Sequence, residues 1–217
     1  GFVEAINSLK ISLKLSDPDQ KIKAIQITSS VPEEGKTSLV LALGAVLAQA
    51  GEKVVIVDGD LRRSSIEKKL GLKAEGPGLT DFVIAENDEL GPYVRHDEGT
   101  GLDFVRTGDA RYVSASDLFS SRRMQHIVNL LKERYDYVLI DAPPIMAVGD
   151  ARVIGRLADK TVFVVCWDKT QKEVARVALD QLHKTPAVIL LRVERQGDQQ
   201  RPRYDQRPDQ NACPMPM

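Results

Sequence analysis

The 217 residues carry 30 basic and 31 acidic side chains, a formal net charge of −1, with 42% hydrophobic and 28% charged residues. That balance excludes a wholly disordered chain and argues against a dedicated nucleic-acid binder, which carries a basic excess, while the length suits one compact α/β domain. No run reaches the roughly 18 apolar residues of a membrane span, and two cysteines, Cys166 and Cys213, make neither a disulfide framework nor a zinc site. A reducing cytoplasm is the expected compartment. The chain opens on Gly1 rather than methionine, as a piece of a longer protein would.

Phe2, Ile6, Leu9 and Leu13 recur at helical spacing and predict an amphipathic helix over residues 1–16, ending before Asp17-Pro18. Ala24–Thr28 reads as a strand, then a Pro/Gly loop, then a buried helix from Leu39 to Gln49 with Gly51 just past its end. Val54–Val57, Tyr137–Ile140 and Val162–Val165 are short strands apolar on both faces, as in a covered parallel sheet. Helical patterns run over Met124–Glu133, Asp150–Leu157 and Gln171–His183, and Ala187–Val193 adds a strand. Between residues 71 and 114 the glycines multiply, predicting an irregular excursion with a short helix near Leu79–Ala85 and a strand near Leu102–Val105. From Arg195 onward the chain turns polar, so residues 195–217 read as a disordered tail and residues 1–194 as one domain. Strands alternating with helices predict an α/β fold, a mostly parallel sheet with helices on both faces, binding ligands at the C-terminal strand ends.

Three motifs fall at such ends. Ser30-Val31-Pro32-Glu33-Glu34-Gly35-Lys36-Thr37-Ser38 joins a strand to a helix, where backbone N–H groups and the positive end of the helix dipole suit an oxyanion. The amides from Val31 to Ser38 would cradle phosphates, Lys36 would add its charge, and Thr37 would offer a hydroxyl to magnesium. A strict phosphate-binding loop has glycine where Ser30 stands. Next, Val57-Asp58-Gly59-Asp60-Leu61-Arg62 delivers two carboxylates after a strand, able to reach a metal, its waters or the proton of an attacking hydroxyl. Then Ile140-Asp141-Ala142-Pro143-Pro144 places a third acid after another strand, the usual second contributor to a nucleotide's magnesium shell. Arg62 and Arg63 suit either phosphate contact or a salt bridge. Lys68, Lys69 and Lys73 read as a solvated face, Phe163, Cys166 and Trp167 as packing, and His96, His126 and His183 lack metal-ligand spacing.

With these residues the chain resembles the catalytic domain of bacterial tyrosine kinases of the capsule and exopolysaccharide type, a P-loop NTPase-like class unrelated in fold to eukaryotic protein kinases. The resemblance covers about Glu4 to Val193 and rests on Thr28–Thr37, Val57–Arg63, Tyr135–Pro144 and Asp150-Ala151-Arg152. It implies ATP and Mg2+, autophosphorylation on tyrosine, and control of polysaccharide polymerisation or export. It also implies a ring-shaped homo-oligomer at the inner face of the cell membrane, coupled to a membrane-spanning activator that is either separate or fused upstream. By the same resemblance Lys36, Asp58 and Asp60 are the catalytic candidates and Thr37, Asp58 and Asp141 the metal set. Tyr204 is the candidate phosphoacceptor.

Four positions depart from the family pattern. Glu33 replaces a loop glycine, Asn7 and Lys10 stand where arginines follow Glu4 in the oligomerisation helix, Leu191 replaces an adenine-contacting asparagine, and the tail holds one tyrosine. Two other functions stay open on the residues alone. One is a non-catalytic nucleotide-binding module of the same assembly. The other is a partitioning or division-site ATPase, whose additional loop lysine is absent from Ser29–Pro32.

Overall fold

The computed structural model describes residues 2–15, 21–85, 87–111, 113–166, 169–182 and 188–193. Seven strands form one sheet: β1 (Ala24–Ser29), β2 (Val54–Asp58), β3 (Arg95–Asp97), β4 (Leu102–Val105), β5 (Tyr137–Asp141), β6 (Lys160–Cys166) and β7 (Val188–Val193). They lie in the order β3-β4-β2-β5-β1-β6-β7, all pairs parallel except the terminal β3–β4 pair. The mostly parallel α/β sheet expected from the sequence is therefore the observed one.

Alternation along the strands explains the two cores. Ile25 and Ile27, Val54 and Ile56, and Tyr137 and Leu139 face α1 (Phe2–Leu15), α2 (Lys36–Gln49) and α3 (Ile66–Leu70). Val55 and Val57, Val138 and Ile140 face the other layer, formed by α4 (Leu79–Ile84), α5 (Ala115–Ser120), α6 (Arg122–Arg134), α7 (Asp150–Ile154) and α8 (Lys172–Gln181). A slip of one residue would turn both sets to the wrong core, so the register is fixed by burial on both faces. Ile6, Leu9 and Leu13 of α1 are buried with Leu39, Leu43 and Leu47 of α2, as the helical spacing predicts. Glu4 and Asn7 stay on the exposed side and Lys10 is half-buried.

Helix α2 starts at Lys36, three residues before the apolar pattern does, because its first turn is polar and turned to the cleft described below. The short α3, α5 and β3 were not expected. Ser114 caps α5 and Ser121 caps α6 through their hydroxyls, each accepting from an amide three residues on. The Arg195–Met217 tail, Tyr204, Cys213, Trp167 and His183 lie outside the described residues. No described helix is long and apolar enough to cross a membrane.

Candidate nucleotide site

The C-terminal ends of β1, β2 and β5 open into a cleft of about 700 Å³ lined by residues 32–38, Asp60, Arg62, Arg63, Ser65 and Lys69 together with Pro143, Pro144, Ala147, Val148 and Cys166. Parallel strand ends carry such clefts because the connecting loops diverge there. The floor comes from strand register. Asp58 of β2 lies directly opposite Asp141 of β5, and Asp141 opposite Ile27 of β1, so three strands deliver the loop and both acids to one place.

The loop 30–35 is held by its own carboxylate. Glu34 is 2% exposed; its Oε2 accepts from the Val31 amide at 2.8 Å, and its Oε1 accepts from the Cys166 amide at 3.1 Å and from the Thr170 hydroxyl. Backbone bonds from Ile145 N–H to Ser29 O and from Met146 N–H to Ser30 O fix the loop's start. The expectation that every amide from Val31 onward is offered to a ligand is corrected at Val31, whose N–H is already spent on Glu34. Glu33, the residue in place of the family glycine, has φ 66°, and Gly35 has φ 91°. The backbone keeps a glycine-like left-handed turn with a glutamate in it, at a cost of about 1–2 kcal/mol. The Glu33 side chain points outward, 73% exposed, and pairs with Lys169 at 3.2 Å. No side chain caps α2, so the first amides of this 14-residue helix remain for an anion.

Lys36 and Thr37 meet the acids. Lys36 Nζ lies 3.7 Å from Asp60 Oδ2 and 3.8 Å from Asp141 Oδ1. The Thr37 hydroxyl donates to Asp141 Oδ2 at 2.7 Å and sits 3.1 Å from Ser65 Oγ. Asp60 lines the cleft, with its Oδ1 accepting from the Arg63 amide at 3.0 Å. Asp58 and Asp141 are wholly buried beneath it. The Ser64 hydroxyl donates to Asp58 Oδ2 at 2.9 Å, whereas Asp141 Oδ1 has no hydrogen-bond partner. Burial pushes Asp58 up to about 7, the nearby Asp141 charge adds to it, and Ser64 pulls it back. Burial likewise raises Asp141 to about 6, against the opposing pull of Lys36 and Thr37. Two buried acids that resist ionisation beside Lys36 mark a place where added positive charge would be stabilising.

Those donors fit magnesium. They are all oxygen, Asp141 offers an orphaned atom, and no three described acids or histidines converge tightly enough to hold an ion unaided. Magnesium suits such a half-built site, because it takes one or two protein oxygens and fills the rest of its shell with water and phosphate.

Three further residues carry weight that the sequence did not signal. Glu34 is the loop clamp. Lys69 is exposed, as expected of a solvated face, and also lines the cleft with its ammonium 3.0 Å from Ser38 Oγ. Glu67, 4% exposed, accepts from Arg95 at 2.7 Å and from Arg106 at 3.1 Å, tying α3 to β3 and the end of β4. Arg62, left between phosphate and salt bridge, sits 3.6 Å from Asp150 while lining the cleft. His96 and His126 pair with Asp103 and Asp88 away from it.

Fold and loop place the molecule in the P-loop NTPase-like class. The model of the AAA domain family (AAA_31) matches residues 22–185. The chain is 32% identical over 187 residues to the tyrosine-protein kinase YwqD of Bacillus subtilis, covering 86% of this chain and 78% of that protein. It is 36% identical over 179 residues, 79% of the chain, to the putative tyrosine-protein kinase AmsA of Erwinia amylovora, of whose length it spans 23%. The solved kinase domain of the Escherichia coli tyrosine kinase ETK superposes with a TM-score of 0.80 at 28% identity, covering 88% of this chain and 76% of that one. The chain belongs to the bacterial tyrosine-kinase family.

Proposed function

We propose that the chain is an ATP-dependent protein-tyrosine kinase domain that uses Mg2+ and works in a larger polysaccharide-assembly protein or complex at the cell membrane. The observation that carries this reading is the convergence of Lys36, Thr37, Asp60 and Asp141 at the uncapped start of α2. Membership of the tyrosine-kinase family supports the choice of hydroxyl acceptor.

Phosphoryl transfer asks a protein mainly for position and charge. Amides from Glu33 to Ser38 orient the phosphates at the helix start. With nucleotide bound, Lys36 would turn from Asp60 and Asp141 to the β/γ oxygens, and Thr37 and Asp141, with Asp58 behind them, would hold the ion. Magnesium, when bound, neutralises charge developing on the phosphate oxygens. Asp60, the acid open to the cleft, is placed to accept the tyrosine proton, while Asp58 and Asp141 act from beneath through water. Loss of Lys36 should lower transfer by about 10²–10³, the scale of one preorganised charge contact in the transition state.

The remaining parts of the reading are the oligomer, the activator and Tyr204 as acceptor. The test is incubation of the full chain with γ-labelled ATP and Mg2+, followed by phospho-amino-acid mapping. Phosphotyrosine lost in Lys36→Met supports a kinase, and its loss in Tyr204→Phe assigns the acceptor. Nucleotide binding with no label in the presence of an activator peptide marks a binding module instead. Free phosphate released faster on DNA or lipid marks a partitioning ATPase.

A further inference from the structure

We propose that Lys69 is a second nucleotide-contacting cation, gripping the phosphate oxygens at the α/β end of a nucleoside di- or triphosphate; this rests on the reading of the cleft as a nucleotide site.

The contacts that fix α3 aim Lys69 into the cleft. Glu67, two residues earlier on α3, is buried against Arg95 and Arg106. Residues two apart on a helix lie about 200° around its axis, so fixing Glu67 toward β3 and β4 turns Lys69 to the opposite side. At the helix entry, Ser64 and Ser65 approach Asp58 and Thr37. At its end, Gly71 is left-handed (φ 70°) and the Leu72 amide returns to Glu67 O at 2.9 Å, so this one-turn helix is held at both ends.

The charge arrangement then sets Lys69, with Arg63, apart from the other cations lining the cleft. Lys36 already faces Asp60 and Asp141, and Arg62 faces Asp150. The group Lys69 holds in the cleft is the neutral hydroxyl of Ser38, at 3.0 Å. A phosphate oxygen in place of that hydroxyl converts a neutral acceptor into a charged one and strengthens the bond. Position on the loop decides which phosphate. Lys36 serves the β/γ end and Thr37 the ion, so Ser38, one residue further along the cradle, marks the α/β end.

The test is titration of the full chain with ADP in EDTA and with ATP and Mg2+, for wild type, Lys69→Met and Lys69→Arg, with the nucleotide-free melting midpoint of each. Lys69→Met should weaken ADP about tenfold, Lys69→Arg should stay within about threefold of wild type, and both midpoints should remain unchanged. Wild-type affinity in Lys69→Met overturns the proposal. So does a tenfold loss in Lys69→Arg, since that would mean shape rather than charge is being read. A wild-type chain that binds neither nucleotide overturns the parent reading instead.

Discussion

Replacing Asp58 by asparagine should stabilise the nucleotide-free protein most above pH 7, less at pH 5, and change little below pH 4. Asp58 is fully buried, and its carboxyl is raised from 3.8 to about 7 by burial first and by the charge of Asp141 second. A carboxyl raised in the folded state binds its proton more tightly there than in the unfolded chain. Its contribution to stability is therefore complete below about pH 4 and is lost as the pH climbs through about 7. At about 1.4 kcal/mol per tenfold in proton affinity, the rise from 3.8 to about 7 is worth about 4 kcal/mol. Asp141, raised to about 6, shares that strain, so about 2–4 kcal/mol of gain is expected at pH 8. The amide keeps two of the three local bonds, because its oxygen can accept from the Asp60 amide while its NH2 donates to the Ser64 hydroxyl, which can turn to accept; the third donor is the Ile66 amide. The assay is urea unfolding at pH 5, 6.5 and 8 in EDTA. A variant no more stable than wild type at pH 8, or equally stabilised at pH 5, would refute the electrostatic account. The same variant should lose most of the protection that magnesium nucleotide gives the wild type.

Glu34→Gln should lower stability by about 2–3 kcal/mol, because a buried carboxylate accepting from two amides and a hydroxyl gives way to a group with one acceptor oxygen; thermal melts with and without ADP check both the fold and the loop. Glu67→Ala should cost about 3–5 kcal/mol in urea unfolding, since it strands the half-buried Arg95 and the largely buried Arg106. Gly59→Ala brings a methyl to 3.0 Å from Asp141 O, a backbone atom that cannot yield, and should cost about 1–3 kcal/mol while reducing magnesium-dependent nucleotide binding. Glu33→Gly should leave the melting midpoint within a few degrees, because relief at φ 66° is offset by glycine's freedom in the unfolded chain. Its ADP affinity should rise severalfold by titration, as a carboxylate leaves the cleft mouth.

The sheet was legible because β2, β5 and β6 are short, apolar on both faces and separated by helical periods. The three strand-end aspartates were legible for the same reason, since an apolar run that stops at an acid marks a strand end. What escaped the sequence was short or turned inward. β3 is three residues long, and α3 and α5 are five and six, too brief for any periodicity to declare itself. Lys69 read with Lys68 and Lys73 as a solvated face; that it also lines the cleft, while Glu67 two residues earlier is buried, is a division only the packing of α3 creates. Asp58 and Asp60 looked equivalent in the sequence. The strand places one under the floor and the other on its surface.

The loop shows why a glycine pattern is an incomplete guide to a phosphate site. Glycine is favoured at a left-handed position because other residues are strained there, but the strain at one residue is only about 1–2 kcal/mol. Here it is set against a loop fixed at its entry by Ser29 and Ser30, at its centre by Glu34, and at its exit by the Leu39 amide bonding Gly35 O. Several bonds of about 1 kcal/mol or more each outweigh one unfavourable torsion. The glutamate pair divides the labour: Glu34 turns inward and holds the curve, while Glu33 endures the angle and turns its charge to Lys169. The backbone angle is what the site requires, and a neighbouring side chain can enforce it as well as a glycine can permit it.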